Sequence, residues 1–131
     1  MKKFLKFWLP AIVWMGVIFI FSSIPNLKTN LKEDYILRKI AHMVEFGILT
    51  FLLFQAIVSD KSAQGRFASG GKAIVFAVII TLFYAFSDEF HQLFVQGRQC
   101  SLKDVGIDSI GILIGAGLCY IKSRKVGGLK F

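Results

Sequence analysis

Residues 72–94 read KAIVFAVIITLFYAFSDEFHQLF, an apolar run of helix length that turns polar only in its last turns. About 20 apolar residues allow a helix to cross the hydrocarbon core of a bilayer. Three further runs of similar character lie at residues 4–21, 35–58 and 104–121. Because none shows the alternating pattern of barrel strands, we predict an all-α, polytopic membrane protein with a four-transmembrane-helix bundle. The whole chain, residues 1–131, is predicted to form this single membrane domain.

The composition supports a membrane protein and argues against a nucleic-acid-binding one. Hydrophobic residues make up 55% of the 131 residues, more than a soluble domain of this size readily buries. The net charge is +8, but the basic residues lie mostly in short segments between the apolar runs. That placement is typical of residues that contact anionic head groups and determine topology. We therefore expect membrane lipid, and no nucleic acid, among the partners.

The distribution of Lys and Arg predicts the orientation. With a cytoplasmic N-terminus, ten basic residues face the cytoplasm and six face outward, which together make up the sixteen in the chain. This bias favours both termini in the cytoplasm. The first run follows Lys2, Lys3 and Lys6 and resembles a signal peptide, but no small-x-small cleavage site follows it, so we predict an uncleaved helix.

The ionisable residues of the predicted helices gather at one end of the bundle. They occupy the first third of the second run and the last turns of the third run, which crosses in the opposite direction, and the first run ends there in Ser22 and Ser23. Ionisable groups inside a membrane helix are costly and usually functional, so we predict a polar cleft open to the outer face. Its candidate catalytic residues are His42, Glu45, Asp88 and His91, and its candidate ligand-binding residues are Arg38, Lys39, Glu89, Gln92, Arg98, Asp104 and Asp108.

Two other interpretations exist for the same residues, a structural salt-bridge cluster and a metal site. His42, Glu45 and Asp88 would also suit a salt-bridge knot that only joins helices. His42 with Glu45, and Asp88 with His91, are His/carboxylate pairs like those of metal sites in helix bundles. Since such pairs suit acid–base chemistry equally well, the sequence leaves any cofactor open.

The fourth run carries two packing signals. Ser101 and Asp104 have the spacing of a capping box at its start. Gly111 and Gly115 form a G-x-x-x-G motif, which is typical of close helix packing in membranes.

Together these residues resemble the VanZ-like family, and the resemblance covers nearly the whole chain. The most specific part is Asp-Glu-x-His-Gln-x-Phe at residues 88–94, followed by Gly-Arg at 97–98. One departure is Asp108, where the family more often has Asn. The other matching residues are Ser22, Ser23, Pro25, Arg38, Lys39, His42, Glu45, Phe46, Leu49, Val95, Asp104, Gly111 and Gly115.

The resemblance implies a small protein of the bacterial inner (cytoplasmic) membrane. The family's namesake is associated with low-level resistance to teicoplanin, a lipoglycopeptide that binds cell-wall precursors. The resemblance thus implies a phenotype, possible glycopeptide tolerance, and no particular reaction.

Our first functional hypothesis is an outward-facing site that binds or modifies an amphiphile: a lipid, a lipid-linked cell-wall precursor or a lipoglycopeptide. Arg38 and Arg98 would hold an anionic group through bidentate hydrogen bonds. His42, Glu45 and Asp88 would be acid–base groups or metal ligands, and a further histidine, His91, would orient one of them. The alternative is a non-catalytic accessory or binding protein whose polar cluster is structural. A transporter is disfavoured because the predicted helices offer no polar path to the inside.

Overall fold

The structure, a computed structural model, describes residues 2–25, 32–60, 66–67, 70–98 and 100–125. In these ranges the chain forms four helices and no strand, and each helix is long and apolar enough to cross a membrane. The predicted all-α membrane fold is therefore confirmed. The helices are α1 (Lys2–Ser23), α2 (Lys32–Ser59), α3 (Gly70–Gln92) and α4 (Leu102–Lys125).

Each helix end lies one to four residues from its predicted position, and two of these differences have a local physical reason. α3 ends at Gln92, two residues early, because the following residues form tight turns in which Gly97 adopts a φ of 77° that favours glycine. α4 continues to Lys125, four residues beyond its predicted end, and basic side chains in its last turn complement the helix dipole. The basic tail, residues 126–131, and most of the first two connectors lie outside the described residues.

An apolar core runs through the bundle with contributions from all four helices. α2 supplies its largest side chains, among them Phe46 and Phe54, whereas α3 supplies alanines that allow close approach. The outward surfaces stay apolar: Phe83 is 72% exposed and Leu113 is 67% exposed. Such surfaces suit contact with lipid.

The crossing of α2 and α4 is the most extensive helix contact. A Cβ atom at Gly111 would overlap the carbonyl oxygen of Met43, and one at Gly115 would lie 2.5 Å from the carbonyl oxygen of Gly47. The predicted packing role of the G-x-x-x-G motif is therefore confirmed, and its partner surface is α2.

Two hydrogen bonds show how the helices alternate in direction. Trp8 Nε1 donates to Asp60 Oδ2 (3.1 Å), and Ser22 Oγ donates to Asp88 Oδ2 (2.7 Å). The first bond joins the start of α1 to the end of α2, and the second joins the ends of α1 and α3. We call the end of the bundle with Ser22 and Asp88 the polar end, and the end with Trp8 and Asp60 the opposite end.

Candidate functional site

The first group of polar residues lies where α1, α2 and α3 meet, and we call it the Asp88 cluster. Asp88 is 4% exposed, and its Oδ2 accepts hydrogen bonds from Ser22 Oγ (2.7 Å) and Gln92 Nε2 (2.9 Å). Its Oδ1 is buried and has no hydrogen-bond partner among the described residues. One carboxylate oxygen is thus held in place while the other is left available. The cluster comprises Ser22, His42, Glu45, Asp88, Gln92 and Arg98.

His42 and Glu45 bring α2 into this cluster. His42 Nδ1 lies 3.8 Å from Glu45 Oε2, which is too long for a hydrogen bond. Within the described part of the chain this buried nitrogen has no hydrogen-bond partner. Asp88 on α3 lies close enough for its charge to act on both side chains. The structure therefore brings His42, Glu45 and Asp88 together, as the helix directions predicted.

Arg98 connects the loop after α3 to the end of α1. Its Nη2 donates to the carbonyl of Phe21 (3.2 Å) and its Nε to that of Ile24 (3.3 Å). Phe21 lies in the last turn of α1 and Ile24 directly follows the helix, where carbonyls need such partners. Burial and the nearby positive charge of Arg38 lower the pKa of Arg98, although arginine stays protonated in proteins. Two guanidinium groups therefore lie near each other at the polar end.

His91 contacts α1. Its Nε2 lies 3.0 Å from Ser23 Oγ, and its ring packs against Phe19 with centroids 4.4 Å apart. In the described structure, Ser22 and Gln92 orient the Asp88 carboxylate, and the predicted role of His91 in orienting Asp88, Glu45 or His42 stays a prediction.

The second group of polar residues lies where α2, α3 and α4 meet, and we call it the Glu89 cluster. The Lys39 ammonium forms an ion pair with Asp104. Asp108 is 2% exposed, and its Oδ2 is buried with no hydrogen-bond partner in the described ranges. Asp88 and Glu89 are adjacent on α3 but belong to different clusters. Asp88 lies where α3 meets α1 and α2, and Glu89 lies where α3 meets α2 and α4. The cluster comprises Lys39, Glu89, Ser101, Asp104 and Asp108.

The predicted capping box is half right. Ser101 Oγ accepts a hydrogen bond from the Lys103 amide (3.2 Å), so Ser101 does cap α4. The Ser101 amide, however, donates to Glu89 Oε2 (3.2 Å), while Asp104 pairs with Lys39. In a capping box a Glu or Gln side chain accepts a hydrogen bond from the amide of the capping residue. Here Glu89 of α3, whose side chain is longer than that of Asp104, accepts it.

Sequence reasoning located Ser22 and Ser23 at this end but did not identify their partners. Two hydroxyls in the last turn of a run that is otherwise apolar were the available signal. The cross-helix bonds from Ser22 to Asp88 and from Ser23 to His91 depend on how α1 is rotated against α3, which no residue spacing reveals.

The polar end has hydrogen-bonding capacity that the described residues leave unused. Three buried atoms on three helices have no partner there: His42 Nδ1, Asp88 Oδ1 and Asp108 Oδ2. A buried polar group without a partner costs about 1–3 kcal/mol, so such groups call for a ligand, a proton or water. No group of three or more His, Cys, Asp or Glu side chains in the described ranges is arranged to hold a metal ion.

Comparison with known proteins agrees with this architecture. The sequence profile of the VanZ/LLP1 family matches residues 7–123, which include parts of all four helices. The chain is similar to the uncharacterized membrane protein YwnJ of Bacillus subtilis (strain 168), with 31% identity over 123 residues, covering 87% of this chain and 76% of that protein. No solved structure matches the chain. The chain is thus a multi-pass membrane protein that belongs to the VanZ/LLP1 family.

Proposed function

We propose that the polar end is an outward-facing site that binds or modifies an amphiphile whose head group enters the bundle. The observation that carries this proposal is the set of buried atoms without partners, His42 Nδ1, Asp88 Oδ1 and Asp108 Oδ2. A purely structural cluster would be expected to satisfy its own polar groups. A polar head group would supply the missing hydrogen bonds. The amphiphile is a lipid, a lipid-linked cell-wall precursor or a lipoglycopeptide.

The residues take different roles in this proposal. Ser22 and Gln92 hold Asp88 Oδ2, so that Oδ1 meets the head group in a fixed position as hydrogen-bond acceptor or general base. His42 and Glu45 are the neighbouring acid–base groups. The Nε and Nη2 groups of Arg98 donate to the carbonyls of Ile24 and Phe21, and its guanidinium charge attracts the anionic group of the amphiphile.

The proposal includes an orientation in the bacterial inner membrane. Both termini lie in the cytoplasm, and the polar end faces outward. The distribution of the sixteen Lys and Arg residues supports this orientation, as do Lys122, Arg124 and Lys125 in the last turn of α4 at the opposite end. Lipid-linked precursors and lipoglycopeptides reach the protein from that side, and tolerance to a lipoglycopeptide is the cellular phenotype to examine.

A second candidate is a non-catalytic accessory protein whose polar end holds the helices together. The cross-helix contacts favour this alternative, because the Ser22–Asp88 bond and the Lys39–Asp104 ion pair each join two helices. However, Asp88 Oδ2 is held by two neutral donors, Ser22 Oγ and Gln92 Nε2. These neutral donors support a binding site at Asp88 over a salt-bridge knot.

The test is the effect of amphiphiles on the melting temperature of the detergent-purified chain. Phosphatidylglycerol, undecaprenyl phosphate and teicoplanin are added separately. We expect at least one to raise the melting temperature, since a ligand at about 100 times its Kd stabilises by about 2.7 kcal/mol. Glu45→Gln and Asp88→Asn are expected to lose this rise.

The matched control is Lys125→Gln, an exposed change at the opposite end, which should keep the full rise. The proposal is wrong if no amphiphile raises the melting temperature of the unmodified chain. It is equally wrong if the two carboxylate variants respond as the control does.

A further inference from the structure

The Glu89 cluster contains more carboxyl groups than positively charged groups. Its carboxyl groups are those of Glu89, Asp104 and Asp108, and the Lys39 ammonium already pairs with Asp104. Asp108 is the most deeply buried member, with 2% of its surface exposed. Three other carboxylates, those of Glu89, Asp88 and Asp104, lie close enough for their charges to act on it. One ammonium does not balance this set, and a buried charge without a partner is costly.

One oxygen of the cluster lacks a hydrogen-bond partner. Asp108 Oδ2 is buried and unpartnered among the described residues, whereas Glu89 Oε2 accepts from the Ser101 amide. Because an ionised carboxylate only accepts hydrogen bonds, the missing partner is a donor. No three His, Cys, Asp or Glu side chains in the described ranges are arranged to hold a metal ion. A primary ammonium, which is both a cation and an N–H donor, therefore fits the cluster.

The cluster can be reached from the polar end of the bundle. The side chains of Lys39 and Asp104 are 20% and 14% exposed. Asp108 lies one turn further along α4 than Asp104, about 6 Å deeper. Glu89 lies in the last turn of α3, about 5 Å from the end of that helix. A head group at this end therefore meets the Lys39–Asp104 pair first, with the other two carboxyl groups behind it.

The neighbouring Asp88 cluster offers the opposite charge. Its Arg98 guanidinium lies close enough to Glu89 for the two charges to act on each other. Asp88 likewise lies close enough for its charge to act on Glu89. The two clusters are thus side by side, with a guanidinium toward α1 and excess carboxyl groups toward α4. One head group that carries both an anionic and a cationic group would match both clusters.

We infer that the Glu89 cluster binds the primary ammonium group of an amphiphile whose anionic group lies at Arg98. The ligand class is therefore an amphiphile with a zwitterionic head group that has ammonium N–H donors, such as an aminophospholipid. The inference rests on the proposed function, since it specifies the head group that the same polar end binds.

The test is equilibrium binding of phospholipids with identical acyl chains to the detergent-purified chain, measured by native mass spectrometry. Phosphatidylethanolamine has a phosphate and a primary ammonium, phosphatidylglycerol has the phosphate alone, and phosphatidylcholine has a cation without N–H donors. We expect phosphatidylethanolamine to bind about tenfold more tightly than either of the others, which is the effect of one hydrogen bond to a charged group.

Two variants test which residues read the ammonium. Asp108→Asn removes the charge with little change of shape, and it should lower the affinity for phosphatidylethanolamine about tenfold, to that for phosphatidylglycerol. Glu89→Gln should also reduce the preference, and its amide oxygen can still accept from Ser101, so it decides the outcome if Asp108→Asn does not fold. The matched control is Ser109→Ala, since half-buried Ser109 donates to the Val105 carbonyl of its own helix. It should keep the full preference.

Three results would overturn the inference. The first is equal binding of the three phospholipids, or binding of phosphatidylcholine as tight as that of phosphatidylethanolamine. The second is a preference that both Asp108→Asn and Glu89→Gln retain, because a proton on Asp108 would then account for its unpartnered oxygen. The third is displacement of bound phosphatidylethanolamine by ethanolamine at equal concentration, which would identify a free amine as the ligand.

The proposed function fails through a different measurement. It fails if no amphiphile raises the melting temperature, or if Asp88→Asn and Glu45→Gln respond as the control does. Absence of the phosphatidylethanolamine preference, together with an intact melting response, would remove the ammonium site and leave the amphiphile site.

Discussion

At the scale of single residues, the two carboxylate oxygens of Asp88 have different surroundings. Oδ2 accepts hydrogen bonds from Ser22 and Gln92, whereas Oδ1 is buried without a described partner. Position along the helix predicted Asp88 as a site residue. The difference between its oxygens could not be predicted, because it depends on the rotation of α1 and on the Gln92 rotamer.

Ser22→Ala tests this arrangement. It removes one of the two donors to a buried carboxylate oxygen, and we expect a loss of about 1–3 kcal/mol in stability. The measurement is thermal unfolding in detergent. Ser87→Ala is the control: Ser87 is exposed and donates only to the Phe83 carbonyl of its own helix, so its change should stay within about 0.5 kcal/mol. Equal melting of the two variants would show that Ser22 does not hold Asp88.

At the scale of elements, the crossing of α2 and α4 determines how the bundle closes. The sequence predicted that Gly111 and Gly115 pack closely, because their spacing puts them on one face. It did not identify Gly47 and the Met43 carbonyl as the opposing surface. The existence of each helix follows from the length of its apolar run. The surface that a helix packs against depends on which helices become neighbours. Helix ends depend on capping residues, and some of these, such as Glu89 for α4, belong to another helix.

Gly111→Ala tests the crossing with a single methyl group. The new Cβ would overlap the Met43 carbonyl oxygen, and we expect a loss of at least about 1–3 kcal/mol in stability, with less folded protein recovered. Gly117→Ala on the same helix has nothing within 4 Å of the added atom. It should be neutral or stabilising by up to about 1 kcal/mol, as helix propensity predicts. A Gly111→Ala variant that melts with the wild-type protein would contradict the close approach.

At the scale of the whole molecule, the alternating helix directions place polar side chains from all four helices at one end of the bundle. Apolar length and the positions of the ionisable residues were enough to predict this gathering. They were insufficient to divide it into an Asp88 cluster and a Glu89 cluster, because adjacent side chains of one helix diverge by about 100° and their neighbours depend on packing. The side of the membrane that the polar end faces is a separate question. For it, the Lys/Arg bias predicts an outward-facing polar end.

A reporter fused after Phe131, a residue outside the described ranges, tests that orientation. An enzyme that is active only outside the cytoplasm should give low activity there, because the bias favours a cytoplasmic C-terminus. The same reporter fused after Pro25, at the polar end, should give high activity. The reverse pattern would place the polar end in the cytoplasm and contradict an outward-facing site.

The melting temperature of purified Asp88→Asn and Glu45→Gln, without added amphiphile, tests most directly whether the polar end is a binding site or a structural knot. An Asn oxygen can still accept from Ser22 and Gln92, and its amide takes the place of the unpartnered Oδ1. Because the hydrogen bonds from Ser22 and Gln92 are kept, we expect the stability of both variants to stay within about 0.5 kcal/mol of that of the wild-type chain. Breaking a buried ion-pair network instead costs about 3–5 kcal/mol, and a loss of that size in both variants would contradict the binding-site account.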